Sequence, residues 1–295
     1  MKRNLLLLLV AFFIFSVGQL QAQKDTINPG HHDPVKHPAP GAENSVDALA
    51  KAAANPIANM ITLPFQFNFN FGIGDNDRSQ TVLNMQPVLP FKLTKTWNVI
   101  TRTIIPLIQQ PMIDSVAGST YGIGNINFNA FFVPPVLMKG VFTYGFGVTM
   151  NIPTANAPEF GGDAFGLGPT AVFLFMPGHH WVAGATAGLT WAYKSPEGSD
   201  ALNTFFGQYF ITYNIKKGWF VNTTPTITAN FNAPEGEQWV IPTGAGFGKV
   251  QHFKKMVPMK FMLQYYYNVA PMTATSMKQN ITLMIMFMFP KKPGH

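Results

Sequence analysis

The chain has 295 residues, of which 47% are hydrophobic and only 11% charged, and it contains no cysteine. Water-soluble domains carry about 25% charged residues, so much of this surface is made for something other than water. Lack of cysteine excludes a disulfide framework and a lipid-modified cysteine anchor. The formal charge of +7 falls to +5 once Lys2 and Arg3 leave with an export leader, and in an exported chain it points to no nucleic-acid partner.

That leader comes first. Lys2 and Arg3 precede an apolar run, Leu5 to Val17, followed by GQLQA, which is the pattern of a secretory signal peptide (1–22) cleaved after Ala22. The apolar run is too short to span a bilayer, which takes about 20 residues, and no later stretch is long enough either, so a helical membrane protein is excluded. Residues 23–41 are polar, with four prolines, and read as a solvated periplasmic lead. His31, His32 and His37 lie there without clustered carboxylates, so no metal and no cofactor is expected. Ser45 is placed to cap a short helix to about Ala54, with Val46, Leu49, Ala50 and Ala53 on one face. The lead and helix fill 23–57. The helix is expected to be periplasmic, the alternatives being the membrane surface and the interior of the domain that follows.

From Ile61 the chain is strand after strand. Ile61, Leu63, Phe65, Phe67, Phe69, Phe71 and Ile73 alternate with Thr62, Pro64, Gln66, Asn68, Asn70 and Gly72, a period of two. Further strands are expected at about 80–92, 97–108, 120–133, 141–153, 165–176, 181–193, 203–215, 219–231, 239–251, 257–269 and 279–289. The fold class is therefore all-β: an antiparallel transmembrane β-barrel (58–290) of about 12 strands with a short N-terminal helix, followed by a tail (291–295).

Connections after even strands are short, while those after odd strands are mostly longer, as in outer-membrane barrels with short periplasmic turns and longer external loops. The acidic residues of the barrel region, Asp75, Asp77, Asp114, Glu159, Asp163, Glu197, Asp200, Glu235 and Glu237, all fall in the longer set. The short turns carry Lys95, Lys139, Lys216, Lys217, Lys254 and Lys255 instead. Trp97, Trp181 and Trp219 open strands just after short turns, and Trp191 and Trp239 lie near the opposite rim, as membrane-interface girdles require. The last strand, Gln279 to Phe289, resembles the aromatic-ended closing strand that such barrels present to their insertion machinery, although Pro290 and five more residues follow it.

Several blocks carry a family resemblance. They are Gly218-Trp219 with Thr224 to Asn230, Trp239 to Pro242 with Gly244, Gly246 and Gly248-Lys249, Gln264 to Val269, and Phe287 to Pro290. Asn55 to Ala58 followed by Leu63 to Gln66 fits the same pattern. Together these resemble the outer-membrane barrel family named for a phenol-degradation (meta-pathway) protein and generically labelled "transporter". The resemblance implies a barrel that passes hydrophobic or aromatic small molecules.

If the branched and aromatic faces meet lipid, the alternate positions line a lumen. Its candidate ligand residues are Arg102, Lys92, Lys260, Gln66, Asn68, Asn84, Gln86, Asn98, Gln208, Gln264 and Tyr266, with Asn70, Asn125, Asn127, Asn129, Asn222 and Asn268 beside them. Amides donate and accept hydrogen bonds, so they serve a solute path or bond to one another across a filled lumen. Arg102 stands out, because a charge at membrane depth needs a partner and no strand carries a carboxylate. Water, an anionic ligand, or an acid such as Glu43 or Asp47 on an inserted segment would serve. Inward glycines, among them Gly147, Gly168, Gly244, Gly246 and Gly248, either make room for an occupant or ease curvature. Met262, Met284, Met286 and Met288 read as packing that also suits a greasy ligand.

His179, His180 and His252 sit in short turns away from acids, so no nucleophile, base and orienter come together and no enzyme is expected. The expected function is a passive outer-membrane channel for small molecules, with lipid, solute and insertion machinery as partners. The alternative is a closed structural or surface-interaction barrel acting through its external loops.

Overall fold

The computed structural model of the chain describes residues 46–74, 76–94, 96–112, 118–134, 141–194, 202–270 and 276–290. The leader, the lead with its histidines, Glu43, Ser45, Asp75, Lys95, Asp114, Lys139, Glu197, Asp200 and the tail after Pro290 lie outside them. Helix α1 (Val46–Ala53) precedes β1 (Ile61–Ile73), β2 (Arg78–Met85), β3 (Val88–Lys92), β4 (Asn98–Pro111), β5 (Ser119–Ile123), β6 (Ile126–Val133), β7 (Phe142–Ile152) and β8 (Phe165–Phe175). Then come β9 (Trp181–Lys194), β10 (Asn203–Asn214), β11 (Trp219–Thr223), β12 (Thr226–Asn230), β13 (Trp239–Val240), β14 (Pro242–Gln251), β15 (Met259–Asn268) and β16 (Gln279–Phe289).

These segments form twelve barrel strands, because β2 with β3, β5 with β6, β11 with β12 and β13 with β14 are each one strand with a break. Every strand pairs antiparallel with its sequence neighbour, and β16 returns to β1 in continuous register from Ile61↔Phe289 to Phe71↔Gln279. The closed ring leaves no edge and satisfies backbone groups that lipid cannot. No described helix is long and apolar enough to cross a membrane.

The period of two sorts side chains as the sequence reading expects. Phe146, Phe173, Phe247, Leu263, Tyr265 and Ile281 stand exposed on the outer face, an apolar belt that suits acyl chains and not water. Trp181, Trp191, Trp219 and Trp239 are exposed at the two rims. They pack on outward neighbours: Trp181 lies 4.8 Å from Tyr213, and Trp97 lies 5.7 Å from Phe146. Trp219 also holds the Lys249 ammonium 5.2 Å from its ring.

Main-chain bonds mend the first of the three breaks that follow, and polar side chains mend the other two. At Gln86-Pro87 the free groups pair across the barrel wall, Gln86 N–H to Pro64 O and Thr103 N–H to Pro87 O. The break at Gly124-Asn125 is filled by the external loop 153–164, whose 3-10 turn (Pro158–Phe160) buries Phe160. There Asn125 accepts from Ala155 N–H and donates to Gly162 O, so it braces a loop and does not face the lumen freely. The break at Thr224-Pro225 belongs to the lumen and is taken up below.

The inward glycines mainly serve close approach between strands. A Cβ on Gly147, Gly168, Gly244, Gly246 or Gly248 would land on the backbone carbonyl of the adjacent strand. Gly246 and Gly248 also make room for interior side chains, those of Gln264 and Phe220.

Candidate functional site

Helix α1 and the segment after it lie inside the barrel at its short-turn mouth, the periplasmic one by the pattern of its loops. An eight-residue helix is too short to hold together alone, since isolated helices need about 12–15 residues, so α1 owes its stability to packing. Its apolar face supplies that. Leu49 and Ala50 are buried with Met60 against Phe220, Val250, Met262, Met286 and Met288, all lumen-facing residues of β11, β14, β15 and β16. Pro56 follows the helix and prevents its continuation. The chain then crosses to the other wall, where Ile57 is buried among Ile100, Phe131, Val133, Val172, Leu174 and Phe210.

Polar contacts fix the helix at both ends. Asp47, in the first turn, accepts a 2.7 Å bond from Gly218 N–H in the turn before β11. Gly218 has φ +77° and lies against Val46, so the turn needs a residue without Cβ. Lys51 in the last turn donates to Gly178 O, and Lys260 of β15 donates to Ala53 O at 3.3 Å, a cation at the negative end of the helix. Of the three places open to the helix, periplasm, membrane surface and barrel interior, it takes the interior. The physical reason is a match of surfaces: toward the short turns the inner wall changes from amide to methionine, valine and phenylalanine, and only an apolar occupant covers it. Asp47 is spent on Gly218, so it is not the partner of Arg102.

Above this segment lie two joined chambers. The lower, about 130 Å³, is lined by Ala52 to Pro56 of the inserted segment together with Met262, Met284, Met286, Phe210, Arg102 and Lys260. The upper, about 370 Å³, is walled by amides, Tyr266 and Phe206. Gln66, Gln86, Arg102, Gln208 and Thr224 belong to both and form the waist between them.

One side of the waist starts a ladder of side-chain hydrogen bonds up the wall. Arg102 donates to Gln86 at 2.6 Å, Gln86 to Gln66 at 3.0 Å, and Gln66 to Asn68 at 2.8 Å. Thr282 donates to Asn68 and Asn280 to Asn70, which donates to Gln80; Gln80 donates to Gln110 near the external rim. The other side repairs the third strand break. Tyr266 Oη accepts from Thr224 N–H at 2.9 Å, Gln208 donates to Thr224 O at 3.2 Å, and Gln264 donates to the Thr224 hydroxyl at 2.9 Å. Pro225 offers no N–H, and these three side chains replace the ladder it interrupts.

The proposed lumen residues are thus brought together unequally. Arg102, Gln66, Gln86 and Gln208 form the waist, Asn68, Asn84, Gln264 and Tyr266 line the upper chamber, and Lys260 lies in the lower one. Asn98 is buried beside Ile57 under the inserted segment and faces neither chamber. Lys92 is exposed at the short-turn rim and lines neither. Gln80, Gln110, Asn280, Thr282 and Thr224 were missed. The alternation of β1 and β16 would have found Asn280 and Thr282, both on the inward face.

The comparisons with known proteins follow this geometry. A family model described as the MetA-pathway of phenol degradation matches residues 58–271. No curated protein matches the chain. Among solved structures, an outer membrane channel from Pseudomonas putida F1 is 15% identical with a TM-score of 0.58, covering 78% of this chain and 94% of that one. The toluene transporter TodX from P. putida is 10% identical, with a TM-score of 0.41 and coverage of 85% and 94%. The outer membrane phospholipase A from Escherichia coli is 10% identical, with a TM-score of 0.42 and coverage of 76% and 95%. A transporter and an enzyme at the same distance carry no functional argument, and the first likeness shows the barrel fold.

Proposed function

Because the chain belongs to the phenol-degradation MetA-pathway family, whose match spans most of its barrel, we propose that it is an outer-membrane channel for passive passage of small apolar or aromatic molecules. The observation that carries this reading is the two-chambered lumen, amide-walled above and methionine-walled below, with residues 46–60 packed inside its short-turn mouth. The amides give water and a solute's polar groups replaceable hydrogen bonds, and the soft thioethers below accept an apolar body of irregular shape. In such a channel the inserted segment is the gate, held by a few polar contacts that a modest free energy can exchange. On the same reading the leader is removed after Ala22, and the insertion machinery recognises the closing strand at Phe289.

An enzymatic reading gains nothing from the histidines. His180 is engaged with Asn214 O through Nδ1 and stacks on Tyr213 at 5.4 Å, outside both chambers.

The test is uptake of radiolabelled toluene by cells whose outer membrane has an intact lipopolysaccharide leaflet, which slows apolar molecules. Cells expressing the protein are expected to take it up faster than cells with an empty vector, and faster in proportion to the folded barrel present. Uptake that does not change with expression would contradict a channel role and favour a structural barrel.

A further inference from the structure

Among its described lining residues the lower chamber has two cations and no anion. Arg102 has five N–H donors and makes one hydrogen bond, to Gln86. Lys260 is 6% exposed, makes one 3.3 Å bond to Ala53 O, and sits 4.8 Å from the ring of Phe220. Among the described residues no carboxylate reaches either group, and the Lys278–Asp77 ion pair lies at the external rim. Two like charges sharing a partly dehydrated space are costly unless an anion joins them. A helix-latching role accounts for Lys260 but not for Arg102, which makes no hydrogen bond to the inserted segment.

The rest of the chamber is apolar and adaptable. Met262, Met284, Met286 and Phe210 face the same space as the two cations. We infer that the lower chamber is a binding site for small aromatic acids, with the carboxylate between Arg102 and Lys260 and the ring on the methionine wall. The inference rests on the channel reading and narrows its solute from apolar molecules in general to apolar bodies with an anionic head. Arg102 offers the planar fork that matches a carboxylate, Lys260 adds a second charge-assisted bond, and sulfur packs well at ring edges. A neutral aromatic would use the wall alone and leave both cations unpaired.

The experiment is calorimetric titration of the full-length protein in lipid nanodiscs with benzoate and with benzyl alcohol, which differ mainly in the charge of the head. Benzoate is expected to bind about tenfold or more tighter, an advantage that weakens with added salt. In Arg102→Gln, which keeps a partner for Gln86, and in Lys260→Met, the advantage should shrink to about threefold or less. Heat-modifiable gel mobility verifies that each variant is a folded barrel. Equal affinity for acid and alcohol, an advantage that persists in both variants, or no binding of either compound would overturn the inference. Equal affinity would leave the channel reading standing, whereas failure of toluene uptake strikes that reading and leaves the titration unaffected.

Discussion

Gly147→Ala is expected to prevent most of the protein from refolding into a heat-modifiable barrel. The added Cβ would land on the carbonyl oxygen of Ala130 in the adjacent strand, with the backbone of Phe131 also in its way. That obstacle is main chain within the β6–β7 pairing, where Phe131 faces Gly147, and it cannot rotate aside as a side chain would. Relief requires the two strands to part, which breaks hydrogen bonds that lipid does not replace. The cost is expected at or above the top of the overpacking range, about 3 kcal/mol. Gly188→Ala is the internal control: its Cβ meets nothing closer than Thr170 Oγ1 at 3.2 Å, so the change is expected to cost less than about 1 kcal/mol. Gel mobility after refolding measures both, and a Gly147→Ala barrel that refolds as well as Gly188→Ala would refute this account of the inward glycines.

Phe220→Ala is expected to lower the unfolding free energy by about 3–5 kcal/mol and to release the inserted segment. The ring is 1% exposed, fills the space that Gly248 leaves open, and lies in the cluster with Leu49 and Ala50 of α1. Its removal opens a cavity under the helix and takes away the face over which Lys260 is held. Denaturant unfolding in detergent measures the first effect. Limited proteolysis measures the second, with cleavage within residues 46–60 rising well above that of the native protein. A variant within about 1 kcal/mol of native, with the segment still protected, would mean that the helix is not seated on this ring.

How much of this was written in the sequence depends on the range of the interaction. The barrel was legible because lipid acts on every strand alike. β1 and β16 need only alternate, and acids need only avoid strands, for the pattern to appear without knowledge of any contact. The convergence of Gln208, Gln264 and Tyr266 on Thr224 was not legible, because it joins three strands through a register that alternation does not fix. Pro225 was its one visible sign, since a proline inside a strand leaves a partner unpaired. Helix α1 was legible as an amphipathic segment, with the barrel interior one of three places open to it: eight residues with one apolar face fit several surfaces equally well. The deciding signal lay elsewhere, in Phe220, Val250, Met286 and Met288, whose inward positions toward the short turns turn that end of the lumen apolar. Lys92 and Lys260 share the inward parity, yet one ends at the exposed rim and the other under the helix, a difference of depth that parity does not carry.

The central claim is that residues 46–60 close a lumen that is otherwise a pathway. Single-channel conductance in planar bilayers tests it most directly, comparing the refolded full-length protein with one lacking residues 23–57. The full-length protein is expected to be nearly silent with brief openings, and the shortened barrel to hold a steady open level. A steady conductance in the full-length protein equal to that of the shortened one would contradict the claim.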